Sequence, residues 1–300
     1  MQSGRIIKAL SGFYYVESEE KIYQCRARGK FRKNDQTPLV GDFCEFSIEN
    51  EVEGYILKLL PRKNALVRPP ICNVDQALLV FSAKEPDLNT LLLNRFLILI
   101  EHLHIEPLIC ISKMDLAVQK DVHQLMFPYE AAGYRVYYVS AQENQGIEEI
   151  KHLFKKKVTV ITGQSGVGKS SLLNALDIHL NIETNEISKA LGRGKHTTRH
   201  SQVIPVGHDT YLLKMYDGYV ADTPGFSSLE LTMEPIELAH SYHDFEELSQ
   251  LCKFRGCLHD SEPYCAVKEA VTDERISQER YEDYLSFLKE TKALKEKKYG

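Results

Sequence analysis

The glycine-rich run from residue 163 to residue 170 constrains the fold of this chain more than any other feature of its sequence. It reads Gly-Gln-Ser-Gly-Val-Gly-Lys-Ser and matches the pattern G-x-x-x-x-G-K-S. An apolar stretch typical of a buried strand, 158–162, precedes it, and an apolar stretch with helical spacing, 169–176, follows. A glycine-rich turn with an incidental lysine would not need both neighbours, so the context predicts a phosphate-binding loop within an α/β domain.

The chemistry expected of this loop follows from its composition. Its glycines let the backbone fold around a phosphate, so that amide groups and the N-terminus of the following helix face the negative charge. Lys169 would reach the terminal phosphates, and Ser170 would offer a hydroxyl to Mg²⁺. We expect the following residues to contact the nucleotide: Gly163, Gln164, Ser165, Gly166, Val167, Gly168, Lys169, Ser170 and Ser171.

A second motif, Asp-Thr-Pro-Gly at residues 222–225, follows an apolar strand at 219–221. This tetrapeptide is a common turn when it stands alone. Downstream of a phosphate loop it is far more specific, because the Asp222 carboxylate can lie near Mg²⁺ and the amide of Gly225 can meet the γ-phosphate. We therefore expect both residues in the nucleotide site.

A third motif, Ser-Lys-Met-Asp at residues 112–115, also follows an apolar strand. The carboxylate of Asp115 could accept two hydrogen bonds from the ring and exocyclic nitrogens of guanine, a pair that adenine cannot donate. Lys113 would lie along the base, and Ser140 and Ala141 would complete the pocket together with Ser112. The alternative for Asp115 is a helix N-cap. Together the motifs favour GTP over ATP.

Three thiols and an imidazole lie close together near the end of the chain, at Cys252, Cys257, His259 and Cys265. Cysteine and histidine are the ligands that zinc prefers, and four of them leave no position for water. The pattern predicts one structural Zn²⁺ that stabilises a loop-rich segment. The other four cysteines are scattered among apolar neighbours, which is typical of buried, reduced thiols.

The chain divides into three parts. Short alternating runs between residues 5 and 47 predict antiparallel strands that close a small barrel. After residue 66, apolar strands alternate with helical patterns, which predicts a parallel α/β sheet, and from about residue 234 the pattern is helical. We expect domains at 1–66, 67–233 and 234–300. A basic run at 26–33 suits nucleic-acid backbone, although a solvated hairpin explains it equally well.

The order of the motifs resembles the RsgA/YjeQ family of circularly permuted GTPases that assemble the small ribosomal subunit. Ordinary GTPases carry the phosphate loop first, whereas this chain has Ser112–Asp115 and Ser140–Ala141 before it and Asp222 after it. The resemblance spans the whole chain and implies an OB-fold barrel, a permuted phosphate-loop GTPase domain and a C-terminal zinc-binding domain with the four ligands named above. Ser112 stands where this family usually has Asn or Thr.

The segment 192–199 is polar and glycine-rich, as expected of a switch loop. One of its threonines, Thr197 or Thr198, should reach Mg²⁺, and we take Thr198 as the ligand beside Ser170 and Asp222. Phe226 stands where many GTPases have the glutamine that orients the attacking water. The resemblance implies that His196 takes this role; a surface histidine is the alternative.

Composition bears on partners and location. A net charge of -5 argues against a protein that coats nucleic acid through bulk charge, and the sequence shows no apolar run long enough to span a bilayer. We expect a cytoplasmic monomer that binds neither membrane nor DNA. The resemblance implies binding to the small ribosomal subunit and its rRNA, with GTP turnover stimulated by that subunit. The alternatives are an RNA-binding scaffold with incidental hydrolysis and a phosphate-loop ATPase.

Overall fold

The structure is a computed structural model. It describes residues 1–27, 31, 36–67, 69–177, 210–222 and 230–299. The chain forms two compact units, the first from residues 1–76, 147–165 and 169–226 and the second from residues 77–146, 166–168 and 227–300. Each unit therefore gathers distant parts of the sequence. The domain boundaries expected at residues 66 and 233 stay predictions.

The first unit contains the expected barrel. Its five strands have the order β1-β2-β3-β5-β4, and the barrel closes because β1 also pairs with β4. Each strand contributes at least one fully buried residue to the barrel core, at Ile6, Val16, Cys25, Cys44, Phe46 and Ile56. The strands are β1 (Gln2–Leu10), β2 (Phe13–Ser18), β3 (Lys21–Ala27), β4 (Phe43–Ile48) and β5 (Glu53–Leu59).

Most of the basic run at 26–33 lies outside the described residues, including Arg28, Lys30, Arg32 and Lys33. Of its members, Arg26 stacks on the ring of Phe13, with its guanidinium carbon 4.9 Å from the ring centroid. Phe31 is buried, with 5% of its surface exposed. Phe31 is therefore not an exposed stacking surface, and the nucleic-acid reading of this run stays a prediction.

The first unit also holds the strand that enters the phosphate loop. Strand β11 (Val158–Thr162) pairs in parallel with β14 (Gly218–Asp222), and β13 (Leu213–Met215) pairs with β14 in antiparallel fashion. From the sequence, the stretch 211–216 is predicted to be part of a hairpin. The structure divides it, because β12 (Thr210–Tyr211) pairs instead with barrel strand β1. The remaining elements of this unit are α3 (Ile147–Leu153), α4 (Lys169–Leu176), β6 (Ala65–Leu66) and β7 (Ile71–Cys72).

The second unit contains the other strands of α/β character, in the order β10-β9-β8. Strand β8 is buried at every position, as its continuous apolar sequence requires. Strands β9 and β10 run parallel, which places the residues after each strand at the same edge of the sheet. The elements are β8 (Gln76–Ser82), α1 (Thr90–His102), β9 (Glu106–Ser112), α2 (Gln119–Ala131) and β10 (Arg135–Tyr138).

Four helices end the chain and pack within the second unit. They are α5 (Pro235–Ala239), α6 (His243–Ser249), α7 (Ala266–Thr272) and α8 (Gln278–Tyr299). Arg95 of α1 holds Glu290 of α8 through two hydrogen bonds of 2.8 and 2.5 Å. Next to this pair, Asn94 donates to Asp283 at 2.7 Å. Helix α8 is therefore fixed to α1 by polar pairs on adjacent residues. Across the described ranges, no helix combines the length and apolar character needed to cross a bilayer.

Candidate functional site

The phosphate loop connects β11 to α4, as the sequence predicted. Gly166 and Gly168 have positive φ angles of 82° and 89°, a region that costs little for glycine and is strained for other residues. The two glycines turn the chain so that it enters α4 directly at Lys169. The loop pattern thus fits the backbone that it adopts.

Lys169 is buried, with 8% of its surface exposed. Its Nζ donates hydrogen bonds to the carbonyl oxygens of Gly163, at 2.7 Å, and Gln164, at 2.6 Å. A buried ammonium needs such acceptors, because desolvation penalises an uncompensated charge. The loop therefore holds the ammonium of Lys169 beside its first two residues, where phosphate oxygens would meet it.

Ser170 lies in the first turn of α4 and is 9% exposed. Asp222 ends β14, where its Cα pairs with that of Ile161 on the strand that enters the loop. The backbone thus brings Asp222 to the same edge of the sheet as the phosphate loop, while its side chain lies outside the described residues. Four further predicted site residues lie entirely outside the described residues: His196, Thr197, Thr198 and Gly225.

Ser112 ties the base-recognition motif to the phosphate loop within the second unit. Its Oγ lies 2.5 Å from the carbonyl oxygen of Val167 and 3.0 Å from that of Phe81. A hydroxyl has one proton, so it can donate to only one of these carbonyls at a time. The single hydroxyl of Ser112 thus joins the two motifs.

Asp115 and Ser140 also meet, although 24 residues of other structure separate them in the sequence. Ser140 is fully buried, and its Oγ donates to Oδ1 of Asp115 at 2.5 Å. The amide of Glu143 donates to the same Oγ at 3.1 Å, which fixes the hydroxyl proton toward the carboxylate. Ala141 follows in the turn after Ser140. The two predicted base-pocket segments are therefore joined at their polar side chains.

The four predicted metal ligands form one cluster. Their ligand atoms all lie within 4.8 Å of one another, and Cys257, His259 and Cys265 are buried. Sγ of Cys265 lies 3.3 Å from Nδ1 of His259 and 3.9 Å from Sγ of Cys252. Tetrahedral bonds to zinc of about 2.3 Å for sulfur and 2.0 Å for nitrogen would set ligand atoms about 3.5 to 3.8 Å apart. The cluster therefore fits a zinc ion.

The surroundings of His259 suit a neutral imidazole ligand. Burial lowers its pKa to about 4, so the ring stays neutral near pH 7. Two tyrosines of α8, which belong to none of the predicted motifs, hydrogen-bond to the backbone at His259 and Leu258. Tyr281 donates to the carbonyl of His259 at 2.6 Å, and Tyr284 donates to that of Leu258 at 2.7 Å. The three-residue spacing of these two tyrosines is the sequence pattern that could have placed them on one face of a helix.

Comparison with known proteins decides the family. The sequence model of the RsgA GTPase family matches residues 59–232, and that of the RsgA N-terminal domain matches residues 3–56. The chain belongs to the RsgA GTPase family. The predicted resemblance and the predicted class of enzyme, a GTPase, are thereby confirmed.

Relatives of the RsgA family cover the chain almost completely. A protein of Shouchella clausii, named small ribosomal subunit biogenesis GTPase RsgA, is 55% identical over 97% of each chain. A protein of the same name from Halalkalibacterium halodurans is 52% identical over 100% of each chain.

Two solved RsgA-like structures share the fold. YloQ, described as a circularly permuted GTPase, has a TM-score of 0.81 at 47% identity and covers 98% of this chain and 96% of its own. YjeQ from Thermotoga maritima has the same TM-score at 36% identity, over 97% of this chain and 98% of its own. The predicted architecture of barrel, permuted GTPase domain and C-terminal helices with a Cys/His cluster is confirmed.

Proposed function

We propose that this chain hydrolyses GTP to GDP and phosphate at the phosphate loop and that it does so as a switch on the small ribosomal subunit. The contact of Ser112 with Val167 carries the proposal, because it seats the base-recognition motif against the phosphate loop although the two are reversed along the chain. Asp115, held by Ser140, then faces the guanine with its carboxylate.

The proposed roles follow from the motifs to which the groups belong. Lys169 and the loop amides neutralise charge on the terminal phosphates, which supplies most of the rate enhancement in phosphoryl transfer. Ser170, Asp222 and Thr198 would hold Mg²⁺, which bridges phosphate oxygens when bound. Lys113, Ser140 and Ala141 line the base. Gly225 would donate its amide to the γ-phosphate.

His196 is proposed to orient the attacking water. The reason remains the sequence, which has Phe226 where a water-orienting glutamine often stands. An imidazole can accept a proton near neutral pH, and a phenyl ring cannot. The assignment predicts that His196→Ala keeps GTP affinity and loses turnover.

The Cys/His cluster is proposed to hold one structural Zn²⁺, since it brings together four ligand atoms within 4.8 Å of one another, the number that a tetrahedral site needs. The relatives reported above are named for biogenesis of the small ribosomal subunit, and we propose that this subunit is also the partner of this chain. Its rRNA would bind to the barrel and to the helices that carry the zinc site. We further propose that the chain acts in the cytoplasm as a monomer and binds neither DNA nor membrane.

Co-sedimentation with purified small subunits tests the switch. The chain should sediment with them more strongly in a non-hydrolysable GTP analogue than in GDP, and by linkage the subunit should raise affinity for the analogue by the same factor. Equal sedimentation in both nucleotides would contradict the switch and favour a scaffold with incidental hydrolysis. Competition of ATP with GTP at equal concentration would contradict the base pocket.

A further inference from the structure

The segment that follows β8 contacts both predicted nucleotide motifs, and no phosphate-loop or base-recognition pattern includes it. Strand β8 ends at the buried Ser82, and α1 begins after the N-cap residue Asn89. Between them the chain reads Ala-Lys-Glu-Pro-Asp-Leu, a composition typical of an exposed turn. We name residues 83–86 the β8 segment.

Two hydrogen bonds join the β8 segment to the base-recognition motif. The amide of Ala83 donates to the carbonyl of Ser112 at 2.9 Å. Nζ of Lys113 donates to the carbonyl of Glu85. Lys113 itself has left-handed backbone angles, with φ 57° and ψ 39°, a conformation that is uncommon for residues other than glycine.

The same segment also lies beside the phosphate loop. A Cβ added at Gly166 would lie 3.9 Å from Cδ of Pro86, and one added at Gly168 would lie 3.8 Å from Cε of Lys113. The position of Pro86 is fixed by a hydrogen bond: the buried hydroxyl of Ser82 donates to its carbonyl at 2.6 Å. Ser82 therefore supports the contacts of Pro86 and Glu85 with the two motifs.

We propose that Ser82 is a positioning residue for the guanine nucleotide: through the β8 segment it holds the ammonium of Lys113 in place along the base and beside the phosphate loop. This inference rests on the proposed nucleotide site. Loss of the Ser82 hydroxyl frees the carbonyl of Pro86, and Lys113 then loses its fixed acceptor. The binding of GDP and GTP weakens, while the groups that act on the γ-phosphate stay in place.

The test compares Ser82→Ala with Ser241→Ala. Ser241 is a matched control, since it is also buried in the second unit and donates to a backbone carbonyl, that of Glu237, at 2.7 Å. With fluorescent GDP as the probe, Ser82→Ala should raise the dissociation constant about tenfold, as expected for one lost hydrogen-bonded support. It should raise KM for GTP similarly with kcat little changed. Ser241→Ala should leave both constants within twofold.

A double-mutant cycle separates positioning from a general loss of structure. In the background of Lys113→Ala, Ser82→Ala should add no further loss of GDP affinity, because the residue that it positions is gone. Ser82→Cys, which keeps volume and a weak donor, should give an intermediate loss if Ser82→Ala folds poorly. Additive effects, or GDP affinity of Ser82→Ala equal to that of the wild type, would overturn the inference. Failure of the wild type to bind GDP would instead overturn the proposed site.

Discussion

The proposed nucleotide site and the Cys/His cluster are built in opposite ways. The proposed nucleotide site joins segments that lie far apart in the sequence, as in the contact of Ser112 with the backbone carbonyl of Val167, 55 residues away. The cluster draws its four ligands from the single stretch 252–265. One site is thus held by the fold, whereas the other is expected to hold its part of the fold.

Because the two sites are built differently, substitutions in them should have different consequences. Removing a side chain from the nucleotide site should reduce binding or turnover and leave the fold intact, because strands and helices already fix the backbone there. Removing a ligand from the cluster should unfold the stretch around it and leave nucleotide binding nearly intact.

The largest effect is expected for Lys169→Ala. Loss of the ammonium should lower GTP turnover by about 10²- to 10³-fold, the usual consequence of removing one preorganised group that stabilises transition-state charge. Lys155→Ala, at an exposed position before β11, is the control and should keep wild-type turnover. Phosphate release measures both. Near-normal turnover in Lys169→Ala would refute the site, and a lowered melting temperature would weaken the contrast.

The next effect concerns the base. Asp115→Asn should lower GTP affinity by about 10- to 100-fold, because the amide keeps one acceptor oxygen and loses the other hydrogen bond to a charged group, which contributes roughly 1.5–3 kcal/mol. Xanthosine triphosphate should gain affinity, since its C2 carbonyl accepts from an amide. Nucleotide competition measures the exchange of preference, with Asp121→Asn on the exposed face of α2 as control. An unchanged preference for guanine would show that the base binds elsewhere.

For the cluster, Cys257→Ser should abolish binding of one zinc per chain and raise proteolysis within residues 245–270, while GDP affinity stays within about twofold. Cys25→Ala, at a buried thiol of the barrel, should keep its zinc. Metal analysis and limited proteolysis give the answer. Protein purified without chelators that carries no zinc would contradict the prediction, and a large loss of GDP affinity would remove the contrast between the two sites.

The smallest effect concerns how the C-terminal helices are attached. Nδ1 of His243 at the start of α6 lies 3.0 Å from Oε1 of Glu101 at the end of α1. The hydrogen bond with Glu101 raises the pKa of His243 against the effect of burial, and Asp244 contributes to the rise. Burial raises the pKa of Glu101 although His243, Tyr134 and Arg280 oppose it.

Because the folded pKa of His243 is raised, its stabilisation is complete below the unfolded value of about 6.5 and is lost as pH rises through the folded value. The ring is 41% exposed, so solvent screening keeps the contribution below about 1 kcal/mol. The melting temperature of His243→Gln should lie about 2 °C below wild type at pH 6 and converge with it by pH 9. A gap that widens with pH would contradict the assignment.

Local sequence predicted the elements that local sequence determines. The apolar run at 76–82 predicts a buried strand and the helical spacing at 169–176 predicts a helix, and both are observed at those limits, as β8 and α4. The four cluster ligands could be selected because they share one short stretch. Burial of the scattered cysteines was also predicted correctly, since each of them is buried in the structure.

Partners that are distant in sequence and that no motif marks could not be predicted. The pattern at 211–216 is that of a hairpin, and nothing in it shows that Thr210–Tyr211 pair with Lys8 and Ala9 of the barrel. The β8 segment has the composition of a solvated turn, and only the position of Lys113 in space shows what it contacts. Pairing and support of this kind arise from the folded chain, so they require the structure.

The most direct test of the whole account is multiple-turnover phosphate release from GTP with and without purified small ribosomal subunits. The wild type should turn over slowly alone and much faster with small subunits, whereas large subunits should have no effect. His196→Ala should keep GTP-dependent subunit binding and lose the stimulation. A turnover rate that small subunits leave unchanged, in protein that binds GTP and the subunit normally, would contradict the claim that this chain is a GTPase switch of the ribosome.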